Sequence, residues 1–116
     1  MPTRRLGSVR GYSAFKALKS AKSAVRASNW QLACVANGLP EARFAVNVAK
    51  RLVALAVKRN LLKRLARESF RTFYRQANSA GGTDYLLTLI AMPRDWSRAA
   101  LRRDLDNLVS KVISSR

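Results

Sequence analysis

The sequence predicts a small α+β sandwich with a single sheet, its elements in the order α-β-β-α-β-α. Three patterns carry this reading. Segments 30–37 and 43–50 alternate apolar with small or polar residues, the period of a strand. Segments 57–75 and 95–112 repeat apolar residues every three or four positions, the period of a helix. Segment 84–92 has strand length but is apolar on both faces. With 116 residues, 48% of them hydrophobic, the chain supports one core and one domain, residues 1–116, and excludes a second, enzymatic domain.

The first helix begins near Ser13, whose side chain can accept a hydrogen bond from a free backbone amide, with Phe15 and Leu18 as its apolar contacts. Residues 19–29 hold Lys19, Lys22 and Arg26 among alanines and serines, and either extend that helix or form a basic loop. In the first strand Trp30, Leu32, Cys34 and Ala36 share one side, and Gln31, Ala33, Val35 and Asn37 the other. Asn37-Gly38-Leu39-Pro40 then turns the chain, because glycine admits positive φ and proline presets a turn torsion. Phe44, Val46 and Val48 alternate with Arg43, Ala45, Asn47 and Ala49 in the second strand, and the two strands read as a hairpin covered on one side.

The helix over 57–75 gathers Leu62, Leu65, Ala66, Ser69 and Phe73 on one flank. Opposite them Arg59, Asn60, Lys63, Arg64, Arg67, Arg71 and Arg75 form a broad polar arc, while Lys58 lies near the apolar edge, from which its ammonium can snorkel outward. After a loop containing Gly81-Gly82, segment 84–92 reads as an interior strand and Pro93 ends it. Asp95 is expected to cap a closing helix in which Leu101, Leu105, Leu108 and Val112 make a packing stripe. Residues 1–8 and 114–116 are expected to be flexible tails.

Lysine and arginine number 23 against 6 acidic residues, a net charge of +17. Such an excess in a small domain points to an anionic partner, nucleic acid before membrane. It is concentrated: residues 43–75 contain ten basic residues and one acidic. The absence of histidine removes histidine-dependent nucleophilic, acid–base and metal chemistry. Cys34 stands alone in an apolar run and reads as a buried thiol. The acidic residues Glu41, Glu68, Asp84, Asp95, Asp104 and Asp106 are scattered, so no catalytic residue and no metal ligand is assigned. No segment reaches the roughly 20 apolar residues of a membrane span, no signal peptide is evident, and a cytoplasmic, reducing location is the simplest expectation.

A rigid arc of cations suits a phosphate backbone without specifying any base. Arg59, Arg64, Arg67 and Arg71 bring planar forks that bridge phosphate oxygens or stack on bases, whereas Lys63 is a compact point charge. Asn60 offers a donor and an acceptor together, for RNA contact or for fixing the helix start. Phe15, Phe44 and Phe73 match core periodicities, and Trp30 is compatible with packing or with base stacking.

The stretch Arg43-Phe44-Ala45-Val46-Asn47-Val48-Ala49-Lys50-Arg51, followed by Ala56-Val57-Lys58-Arg59-Asn60-Leu61-Leu62-Lys63-Arg64-Leu65-Ala66-Arg67-Glu68, resembles the bacterial ribonuclease P protein component. In that family a strand ending in a basic pair leads to an Ala-Val-x-Arg-Asn helix studded with arginines. The likeness covers roughly residues 5–113, with Phe15 similar to the aromatic of the family's first helix. It implies the ribosomal protein S5 domain 2-like fold, with a left-handed crossover. It also implies an accessory subunit of a ribozyme: the catalytic RNA removes the 5′ leader from precursor transfer RNA by magnesium-dependent hydrolysis, and the protein has no active site of its own.

By the same resemblance, Lys50, Arg51, Lys58, Arg59, Asn60, Lys63, Arg64, Arg67 and Arg71 would face the catalytic RNA, with one protein per RNA. The precursor's leader would lie in a cleft between the first helix and the sheet, with Phe15, Trp30, Phe44 and Val46 as the nearest candidates. Magnesium would be used by the RNA and not bound tightly by the protein. Leu61 stands where the family commonly has a basic residue, and falls at the edge of the apolar flank. Ala45 stands where glycine is frequent, and Ala33 and Lys19 near positions of cleft aromatics, so leader binding is expected to rest more on cations than on stacking. A ribosomal or other structural RNA-binding protein would share the charge and a similar fold, and only the central motif separates the two.

Overall fold

Alternation along the chain sets where the longer strands form, and left-handed Ser28 and Gly38 follow the ends of two of them. The computed structural model describes residues 6–8, 24–76 and 82–114. Its elements are β1 (Leu6–Ser8), β2 (Val25–Ala27), β3 (Trp30–Ala36), β4 (Ala42–Asn47), α1 (Ala56–Gln76), β5 (Thr83–Leu89) and α2 (Arg98–Ser114). The strands form one sheet in the order β1-β4-β5-β3-β2. β5 runs antiparallel to β3 and parallel to β4, so α1 is the crossover that joins two parallel neighbours.

The expected hairpin between the strands now seen as β3 and β4 does not form, because β5 lies between them. Its side chains explain the insertion. Tyr85, Leu87 and Leu89 are buried on the face that meets the helices, and Asp84 and Leu86 are buried on the other, so β5 suits an interior position better than an edge. The central position covers it on both edges. The 37–41 connection therefore spans the width of a strand, and Gly82 closes it: Asn37 N donates to Gly82 O and Gly82 N to Glu41 O. Gly82 has φ +90° and a Cβ there would meet Leu39 O at 3.2 Å, so both torsion and space require glycine.

Two further corrections concern the amino-terminal part. Residues 25–27, read as helix or loop, form β2, which turns into β3 through Ser28 at φ 54°. Val25 and Ala27 pack against the core while Arg26 is exposed, a short alternation of period two. Leu6–Ser8, read within a tail, pairs in parallel with β4 and satisfies its outer edge. The helix expected near Ser13, with Phe15 and Leu18, lies outside the described residues.

The core centres on Phe70 of α1, whose ring stacks on Phe44 at 4.1 Å and meets Tyr85 edge-on at 4.8 Å. Phe73 of the expected α1 flank is half-buried and packs against the core, and Phe70 and Tyr74 are buried. Leu101, Leu105, Leu108 and Val112 of α2 are buried as expected. The cap of α2 is Ser97, whose Oγ accepts from Ala100 N, while Asp95 Oδ1, two residues before it, accepts from Ser97 N.

On the face of the sheet away from α1 and α2, Arg43 Nε and Nη2 fork onto the carboxylate of Asp84 at 2.7 and 2.6 Å, and Asn37 Nδ2 donates to the same group at 2.7 Å. Burial of Asp84 pushes its pKa up, but the hydrogen bonds from Arg43 and Asn37 outweigh it and hold the carboxyl below its ordinary value. A depressed folded pKa gives stability that is present above the ordinary value of 3.8 and is lost as pH falls through the folded one. Asp84→Asn is therefore expected to cost about 2 kcal/mol at pH 7. Urea titrations of the two proteins should converge as the pH is lowered below 3.8; a difference that persists there would contradict the assignment.

Candidate nucleic-acid interface

The amphipathic period of α1 divides it cleanly. Leu62, Leu65, Ala66, Ser69, Phe70 and Tyr74 are buried, and Asn60, Arg64, Arg67, Arg71 and Arg75 are exposed. Lys63 is half-buried at the margin, and Leu61 packs against the core as its position on the apolar edge predicts. Four arginines thus project from one rigid surface. Lys50 and Arg51 add to them from the β4–α1 connection, where both are exposed on a turn closed by Leu52 N and Val53 N donating to Ala49 O.

The first turn of α1 is more committed. Arg59 Nη1 donates to Val53 O at 3.0 Å and Ala54 O at 2.7 Å, so this arginine ties the connection to the helix. Lys58 places its ammonium over the Trp96 ring, 4.7 Å from the centroid. It stays half-buried at the apolar edge, as the sequence led us to expect.

The carboxylates are engaged elsewhere. Asp84 binds Arg43, and Arg102 of α2 takes both Asp106 and Glu68, at 2.8 and 3.6 Å. Ser69, fully buried between the helices, donates to Asp106 at 2.5 Å. Among the described residues, no carboxylate lies within ion-pairing distance of Lys63, Arg64, Arg67 or Arg71. Uncompensated cations fixed on one helix give a field that attracts a polyanion and falls with salt.

The leader-binding candidates separate differently. Trp30 and Phe44 are 1% and 6% exposed, inside the core between sheet and helices, and half-buried Val46 packs against that same core. They cannot serve as a base platform, because their alternation phase points them at α1 and α2. Phe15 lies outside the described residues. The opposite phase faces away from α1 and α2: Arg26, Gln31, Thr88 and Asn47 stand in register across the four adjacent strands β2, β3, β5 and β4. Arg26 Nε donates to Gln31 Oε1 at 2.8 Å, and the next register row, Ala33, Leu86 and Ala45, is apolar. The signal was in the sequence as the polar half of the alternation.

The chain matches the ribonuclease P family over residues 4–113. It is 38% identical over 98 residues to a ribonuclease P protein component of Azoarcus sp. (strain BH72), covering 84% of this chain and 79% of that relative. The fold is similar to that of the Staphylococcus aureus RNase P protein, with a TM-score of 0.77 at 17% identity over 93% of this chain and 96% of that one. It is likewise similar to the Thermotoga maritima RNase P protein, with a TM-score of 0.69 at 20% identity over 90% and 96%.

Phe44→Ala should lower stability by about 3–5 kcal/mol, because it opens a cavity against Phe70; selective loss of RNA binding in a fully stable variant would place the ring on the surface after all. Replacing Arg64 and Arg67 together with alanine should weaken RNA binding. It should also make the slope of log K against log salt shallower by about one per arginine, with the circular dichroism spectrum unchanged.

Proposed function

Because the chain belongs to the ribonuclease P protein family, we propose that the cation arc of α1, with Lys50 and Arg51, is the surface that docks on the catalytic RNA. The protein is the accessory subunit of an RNA-based endoribonuclease that processes precursor transfer RNA. The observation that carries the docking assignment is the set of arginines on α1 left without carboxylate partners. Asn60, Lys63, Arg64, Arg67 and Arg71 meet the RNA directly in this reading, and one protein serves each RNA. Lys58 and Arg59 contribute charge from side chains already oriented by Trp96 and by the connection.

The leader crosses the sheet face opposite α1 and α2, over the row Arg26, Gln31, Thr88 and Asn47. These side chains offer donors and acceptors to a single strand, while Ala33 and Ala45 keep the neighbouring row low. In this reading the leader is held through cations and hydrogen bonds more than through stacking. Asp84 is bound to Arg43, and Asp106 and Glu68 share Arg102, so in this reading these carboxylates serve ion pairs within the protein. We assign the hydrolytic magnesium to the RNA.

Reconstitution with the catalytic RNA at limiting magnesium should show precursor cleavage stimulated by the wild-type protein, and markedly less by the Arg64→Ala/Arg67→Ala variant. Absence of stimulation at every ionic strength would refute the assignment. Gln31→Ala with Thr88→Val should weaken binding of leader-bearing precursor about thirtyfold, at about 1 kcal/mol for each lost hydrogen bond. Binding of mature transfer RNA should stay unchanged.

A further inference from the structure

The connection into α1 exposes apolar side chains where the cations are densest. Residues 54–57, Ala-Leu-Ala-Val, are all exposed, and Leu55 and Val57, at 62% and 81%, are the most exposed large hydrophobic residues described. Lys50 and Arg51 precede them and Asn60 and Arg64 follow, all exposed.

The segment is nevertheless held in place. Val53 is buried at its start, Arg59 Nη1 binds the carbonyls of Val53 and Ala54, and Arg59 N donates to Leu55 O. Single exposed hydrophobic residues are ordinary on protein surfaces. A pair presented by a clasped backbone is different, because covering it on a partner costs little ordering entropy. The surrounding charge selects the partner. A neutral or basic protein covering Leu55 and Val57 would have to desolvate Lys50, Arg51 and Arg64 without counter-charge. An RNA neutralises them with phosphates and also offers apolar base faces and ribose edges.

We propose that Leu55 and Val57 pack against an unstacked base or a ribose of the catalytic RNA, as a salt-independent anchor inside a salt-dependent interface. The inference rests on the reading of the chain as that RNA's protein subunit. Arg59 is then a positioning residue, whose guanidinium sets the backbone that presents the two side chains.

The test uses the full chain with Leu55→Asn and Val57→Thr together, near-isosteric changes at exposed positions. The dissociation constant for the catalytic RNA should rise about tenfold, the scale of losing one buried aliphatic contact. The slope of log K against log salt should stay as in the wild type, whereas Arg64→Ala makes it shallower by about one. An unchanged dissociation constant, or a slope that shifts as for a lost cation, overturns the proposal. Hydroxyl-radical footprinting of the wild type needs no variant: Leu55 and Val57 should be oxidised in the free protein and protected in the reconstituted complex. Equal oxidation in both states overturns the proposal, as does protection by anionic phospholipid vesicles but not RNA, or by concentrating the free protein. A wild type that fails to bind the catalytic RNA overturns the subunit reading as well, so the two failures are distinguishable.

Discussion

Strand β5 turns buried side chains to both faces, and such a strand is favoured in the middle of a sheet, with a neighbour on each edge. Much of the architecture depends on that constraint. Placing β5 centrally separates β3 from β4, stretches the 37–41 connection across it, and makes α1 the bridge between parallel strands. Phe70 then meets Phe44 and Tyr85 from two adjacent strands, which sets the roll of α1 about its axis. Once that roll is set, the side of the helix carrying Arg64, Arg67 and Arg71 has to face outward.

The few carboxylates complete the arrangement. Asp84 neutralises Arg43 on the sheet, and Asp106 with Glu68 neutralises Arg102 between the helices. These pairs lie within or beside packed elements, where an unpaired charge would be costly. The α1 surface receives no such compensation, and its mutual repulsion is a standing cost that a polyanionic partner removes. Charge is therefore spent in two ways: on ion pairs where the fold needs neutrality, and on an open field where the RNA supplies the counter-ions.

Much of this was legible from residue order. The helices over 56–76 and 98–114, the strand from Trp30, the turn at Gly38 and the cation arc follow from period and turn chemistry. Three of the leader candidates lie in the core for an identifiable reason. The resemblance implies Trp30, Phe44 and Val46 as the nearest leader contacts, but one phase of alternation faces one layer, and theirs packs in the core beneath Phe70. Phe70 escaped notice because the helical stripe is wide enough for either it or Phe73 to lead. β2 and β1 are three residues each, too short for a period to stand out.

What the sequence determined by itself is local and periodic: where the longer strands and the two long helices lie, which residues share a face, and where positive charge accumulates. Family membership was also readable there, because the Arg-Asn helix and the strand before it are contiguous in the chain. The tertiary structure alone decided which face of each strand meets the helices, that β5 parts β3 from β4, and that Arg59 and Lys58 hold the start of α1. It also decided that Leu55 and Val57 stay outside the core. The reason is physical: alternation fixes the relative phase of neighbouring side chains, whereas strand pairing and packing are chosen by contacts between residues far apart in the chain.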